Sequence, residues 1–133
     1  MPFPVDTKWI AETEQKLGVR FPASFVVAMA KMNGGVVYVG TTVFWLYPFM
    51  DKSDKKRIQR TCGSICRETA SMRELEYFQK ELVAIGHNGG GDVLVLKPMN
   101  DDPATLEHVV YWWEQRTSEL HIAADDFNEL NKS

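Results

Sequence analysis

The sequence predicts an α+β fold, a mostly antiparallel sheet flanked by helices, in one domain spanning residues 1–133. Two observations carry this expectation. The chain opens with two amphipathic stretches, each closed by glycine. It continues with short β-branched and aromatic runs separated by Gly, Asn, Asp and Pro. A helical pair of this size cannot bury its own apolar stripes, so a sheet is expected to cover them.

Residues 7–17 read as the first helix. Asp6 or Thr7 caps it, Trp9, Ile10, Thr13 and Leu17 share a face, and Gly18 stops it in the left-handed region. The second helix begins near Pro22, where the missing amide costs nothing. Phe25, Met29 and Met32 lie on its inner face, and Asn33, Gly34 and Gly35 are expected to cap its end. Val36–Val39 and Thr42–Tyr47 read as strands turning at Gly40-Thr41. Pro48 marks an edge or an ending. Asp51–Arg60 reads as a solvated basic loop or short helix. Arg67–Leu82 reads as one amphipathic helix with Met72, Leu75, Phe78 and Leu82 on its inner line. A short strand is expected from Val83, a glycine-rich turn over Gly86–Asp92, and a central strand at Val93–Leu96. Asn100–Pro103 is a turn signal. His108–Trp113 is a strand whose alternation sends Val110 and Trp112 to one face and Tyr111 and Trp113 to the other. Ala123–Leu130 is expected to close the chain as a short helix with Phe127 and Leu130 inward.

Composition narrows the function classes. The formal charge is −3, from 15 basic and 18 acidic residues, which argues against a dedicated nucleic-acid binder. Two cysteines, Cys62 and Cys66, do not make a disulfide scaffold. No signal peptide is legible at the N-terminus, and Val36–Met50 is too interrupted for a membrane span. The expectation is a cytoplasmic protein with reduced thiols and no membrane partner.

The leucine-glycine pair Leu17-Gly18, then Phe21-Pro22, Phe25 and Asn33-Gly34-Gly35 form one recognisable string. Ile85-Gly86 through Gly91-Asp92 leading into Val93, the aromatic strand Val110–Trp113, and Phe127 with Leu130 follow in order. Together they resemble the SMI1/KNR4 group of the SUKH superfamily, over about Trp9 to Leu130. Ala124 and Asp125 depart from the serine usual there, and Leu130 replaces a second aromatic. The resemblance implies a binding module with no catalytic residues and no cofactor. Many bacterial members resemble immunity proteins that neutralise toxins, often nucleases. Fungal members resemble regulators of cell-wall synthesis, so a regulatory or scaffolding adaptor is the alternative.

Candidate chemistry is sparse. Cys62 and Cys66 stand four apart, but two further metal ligands are not near in sequence. His87 with Asp92 suggests a small ligand-binding or enzyme site, yet no serine sits in a nucleophile elbow. Gly89-Gly90-Gly91 lacks the lysine of a phosphate loop and opens a strand, not a helix. Gly18, Pro22, Asn33, Gly34, Gly35, Gly86, Gly90 and Asp92 are therefore expected to act structurally, with Asp92 accepting from turn amides. Lys52, Lys55, Lys56, Arg57 and Arg60 lack the interleaved aromatics that stack bases. From Asp101 to Leu130, eight acids face one base, Arg116. Such a field suits a basic protein partner, for instance a nuclease toxin domain. Asp101, Asp102, Glu114, Glu119, Asp125 and Asp126 are the expected acidic contacts, with Trp45 and Trp112 as aromatic anchors.

Overall fold

The computed structural model describes residues 2–133. Helix α1 spans Thr7–Leu17, and Asp6 caps it by accepting from the Lys8 amide at 3.0 Å. Gly18 ends it at φ 70° and donates its amide to the Glu14 carbonyl. The Glu14 carboxylate then accepts from the Phe21 amide at 2.8 Å, so one residue sets the whole corner. Helix α2 spans Ala23–Lys31 with Pro22 in the capping position. Phe25 and Met29 on its inner face are fully buried.

The helix end differs from the sequence expectation. Met32 is the C-cap, in extended conformation, and Asn33 does not cap the helix. The Asn33 side chain reaches across to Phe49, donating to its carbonyl at 2.9 Å and accepting from its amide at 2.7 Å. A buried amide side chain thus satisfies a buried peptide. Gly34 and Gly35 take φ of 117° and 88°. A Cβ on Gly35 would run into the Ser133 carbonyl.

Strands β1 (Val36–Val39), β2 (Thr42–Leu46), β3 (Val83–His87), β4 (Val93–Leu96), β5 (Val110–Glu114), β6 (Glu119–Ala124) and β7 (Asn131–Lys132) form one sheet. Its order is β6-β5-β4-β3-β2-β1-β7, and every pairing is antiparallel. Helix α3 spans Lys55–Arg60 and α4 spans Ile65–Arg73. Asp54 and Ser64 cap them by accepting from the Arg57 and Arg67 amides.

Two sequence expectations fail in instructive places. The helix expected over 67–82 stops at Arg73. Successive turns then carry Leu75, Phe78 and Leu82, each amide bonding the carbonyl three residues back. That preserves the three-residue spacing of the apolar side chains without continuing the helix. Arg73 and Lys80 also bond carbonyls of this segment, Arg73 that of Leu82 and Lys80 those of Arg73 and Leu75. The terminal helix expected over 123–130 is also absent. β6 runs through Ala124, and only Phe127–Glu129 make a single 3-10 turn before β7. Phe127 is nevertheless buried, edge-on to Phe25 at 4.9 Å.

Both faces of the sheet carry a core. α1 and α2 cover the first, over Val37, Phe44, Leu46, Ile85, Leu94 and Leu96. Phe78, Leu82, Val93, Val95 and Trp113 form the second, under the 74–82 turns. The sheet curls toward the first face, because Phe44 of β2 meets Trp112 of β5 edge-on at 4.9 Å. Two intervening strands at ordinary spacing would separate their backbones by roughly 14 Å if flat. Gly86 makes room beneath them: in the row Leu46, Gly86, Leu94, Trp112 it has no side chain. α4 abuts β3 where β2 has diverged. There the Thr69 hydroxyl accepts from the Ala84 amide and donates to its carbonyl, in place of a strand.

Candidate functional site

Strand register builds a continuous row on the second face. Val36, Trp45, His87, Val93, Trp113 and Leu120 are successive partners across six strands. The 74–82 segment covers one end of the row. Trp113 is buried there, stacked on Tyr77 at 6.0 Å and edge-on to Phe78 at 5.2 Å. The other end lies open. Trp45 is 48% exposed and Tyr38, on the same face, 42%.

His87 lies stacked between two aromatic neighbours on β2 and just beyond its end. Its ring centroid is 5.7 Å from Trp45 and 5.5 Å from Tyr47, at interplanar angles of 30° and 18°. The Gly89 amide donates to His87 Nδ1 at 3.1 Å, which orients the ring. Gly86 is the residue that lets β2 and β3 approach here. A Cβ on it would lie 2.9 Å from the Trp45 carbonyl oxygen.

Where the cover ends, a cleft of about 550 Å³ opens between α4 and the glycine loop. Tyr47, Glu68, Met72, His87 and Asp92 line it, with no lysine or arginine among the described residues. Burial pushes the Tyr47 phenol up to about 12, with the Glu68 charge adding to the shift, so it stays neutral at ordinary pH. Its ring is a flat neutral surface beside two carboxylates.

The loop is held differently from the sequence expectation. Asp92 does not accept from turn amides. Its Oδ2 accepts from Trp112 Nε1 at 2.9 Å and its Oδ1 from the Gln115 amide at 3.0 Å, both on the β5 side. Asn88 does the turn's work, accepting from the Gly90 and Asp92 amides. Both Asp92 oxygens are thus committed away from His87. The cleft offers planar faces and negative charge, and its histidine and aspartate are not bonded as an acid–base relay.

The structure divides the residues expected to meet a partner. Trp45 lies on the open face. Trp112 lies on the opposite one, packed on Phe44 and tethered to Asp92. Glu114 and Glu119 pair across the β5–β6 hairpin and, with His121, put three donor atoms within 4.8 Å of one another. Thr117 donates to Glu114, and His121 Nε2 lies 3.4 Å from the same carboxylate. Sequence spacing did not reveal this group because cross-strand register creates it. Asp101 and Asp102 lie on the β4–β5 connection, where Asp102 accepts from Thr105. Asp125 and Asp126 follow β6. Asp126 caps the 3-10 turn, and its bond from the Asn128 amide holds its carboxyl below the usual range. The basic segment is solvated as expected, as the short helix α3, with Lys52, Lys55, Lys56 and Arg60 exposed and Arg57 half-buried; Arg57 and Arg60 both lie over the Phe3 ring at 4.7 Å.

The profile of the SMI1 / KNR4 family (SUKH-1) matches residues 4–132. The chain belongs to the SMI1 / KNR4 family. The α+β architecture, with its antiparallel sheet flanked by helices, agrees with that assignment. Neither a curated protein nor a solved structure matches the chain. SUKH-1 membership supports a protein-binding role, of the immunity type in general. No helix among the described residues is long and apolar enough to cross a membrane.

Proposed function

We propose that this SUKH-1 chain is a non-catalytic binding module that neutralises a cognate toxin by stoichiometric occlusion. The open end of the cross-sheet row carries the reading. Trp45 presents half its surface, backed by a stacked His87–Tyr47 platform, at the end of the row that the 74–82 segment leaves open. Tryptophan and tyrosine give large contact area for little lost rotamer freedom and dominate interface energetics. A basic partner is favoured by the Glu68 and Asp92 charges in the adjoining cleft. Asp101 and Asp125, exposed and outside the local caps, extend the same sign over the surface. No bond is made or broken in this function. The partner's working surface is covered.

The test begins with affinity capture from the native host and identification of the bound protein by mass spectrometry. Co-expression with that protein is expected to protect cells from it. Trp45→Ala is expected to weaken the complex by about thirtyfold or more. Unchanged affinity removes the aromatic face as the interface. Absence of protection, with a captured partner unrelated to any toxin, favours a scaffolding adaptor instead.

A further inference from the structure

A second cavity, of about 340 Å³, shares no lining residue with the cleft above. Four separate segments wall it: Pro2 and Phe3, the Asn33–Gly35 corner, the stretch from Leu46 to Asp51, and α3 with its C-cap Thr61. α3 contributes Arg57 and Arg60, three residues apart and therefore on one helix face. This helix buries no residue of its own. Both of these guanidinium groups lie 4.7 Å from the Phe3 ring centroid. The Phe3 backbone is tied to the second wall, because its carbonyl accepts from the Asn33 amide at 2.9 Å.

The charges do not balance inside this cavity. Asp51 is buried, and its Oδ2 lies 3.6 Å from Arg57 while its Oδ1 accepts from the Ser53 amide. One arginine is therefore matched. Arg60 has no carboxylate partner among the described residues. The amides of Gly34 and Gly35 have no acceptor among the described residues either, and Gly34 is buried. A buried backbone amide without an acceptor is rare. Two guanidinium groups thus face one carboxylate, and Leu46, Pro48 and Phe3 add apolar wall. Guanidinium forks bind carboxylate and phosphate oxygens in pairs, and the volume fits a small molecule.

We infer that this cavity binds a small organic anion, a carboxylate or phosphate carried on a flat apolar group. Arg60 and Arg57, both seated over Phe3, hold the anion, the Gly34 and Gly35 amides complete its shell, and Leu46 and Pro48 take the apolar body. Nothing in this binding requires a partner at Trp45.

Amide-resolved NMR titration of the intact chain tests it, with phenyl phosphate, benzoate and neutral benzamide as probes. At least one of the two anions is expected to give saturable shifts at Gly34 and Gly35, and benzamide none. Comparing the two anions distinguishes phosphate from carboxylate. Arg60→Gln leaves the Asp51–Arg57 pair intact and is expected to weaken binding about tenfold or more. Arg60→Lys keeps the charge without the fork and is expected to fall between. No saturable shift with either anion at about 10 mM, a concentration that reveals even millimolar sites, overturns the inference on the unmodified chain alone. So does equal binding of benzamide, or binding unchanged in a folded Arg60→Gln.

Discussion

Trp112 donates its indole N–H to Asp92 Oδ2 at 2.9 Å, and that bond ties the glycine-rich loop to β5. With the Gln115 amide on Oδ1, it spends the one loop carboxylate on structure. The consequence reaches the cleft, because the loop that Asp92 anchors also supplies Gly89 to orient His87.

Asp92→Ala is expected to cost about 1–2 kcal/mol, since it takes the charged acceptor from the half-buried Trp112 indole while the exposed Gln115 amide turns to water. Urea denaturation measures the loss. Asp92→Asn keeps one acceptor oxygen and is expected to cost less. Amide exchange over Asn88–Gly91 should accelerate in both.

Asn33→Ala removes both partners of the Phe49 peptide, leaving a buried N–H and a buried C=O unpaired. The expected cost is about 2–4 kcal/mol, which lowers the melting temperature by roughly 10 °C. Calorimetry checks it. A cost below that of an ordinary surface substitution contradicts the clamp.

The stability profile in alkali is expected to turn over. Burial lowers Lys132 from its usual 10.5 to about 8. The unfolded chain then binds more protons than the folded one between those values, so stability rises with pH from about 8. Tyr47 and Tyr111 are raised from 10 to about 12, chiefly by burial. There the folded chain holds more protons, so stability falls as pH rises above about 10. Lys132→Met should abolish the rising limb and Tyr47→Phe should soften the falling one, read by denaturant midpoints across pH 7.5–11.

The two tryptophans of the cross-sheet row should behave oppositely in the free protein. Trp45→Ala is expected to cost less than about 1 kcal/mol, because half the ring is already in water. Trp113→Ala, in the buried second core, is expected to cost about 3–5 kcal/mol. Equal costs mean that Trp45 is not free for a partner.

Local signals placed much of the fold correctly. Asp6 and Gly18 bracket α1, Gly40-Thr41 turns β1 into β2, and Gly91 and Pro98 flank β4, because each uses a backbone preference that survives any surroundings. The failures share a cause. Met72, Leu75, Phe78 and Leu82 satisfy a helix or a chain of three-residue turns equally well. Packing of Phe78 and Leu82 with Trp113 of β5 goes with the turns, and Arg73 and Lys80 bond carbonyls within the same segment. Ala123 and Ala124 favour a helix locally, yet β5 pairs Val110 with Ala124 and Tyr111 with Ile122, leaving Ala123 as a bulge within β6.

The chain's own residues determined its family resemblance, its alternation of aromatic residues across β5, and its charge. Only the tertiary structure decided which side chains meet. It put Trp45 and Trp112 on opposite faces, turned Asp92 toward β5, set Glu114 beside Glu119 and His121, and closed Arg57 and Arg60 over Phe3. The reason is that propensity acts through the dihedral angles of one residue and its near neighbours. Register and packing act between segments up to a hundred residues apart, and no local preference encodes them.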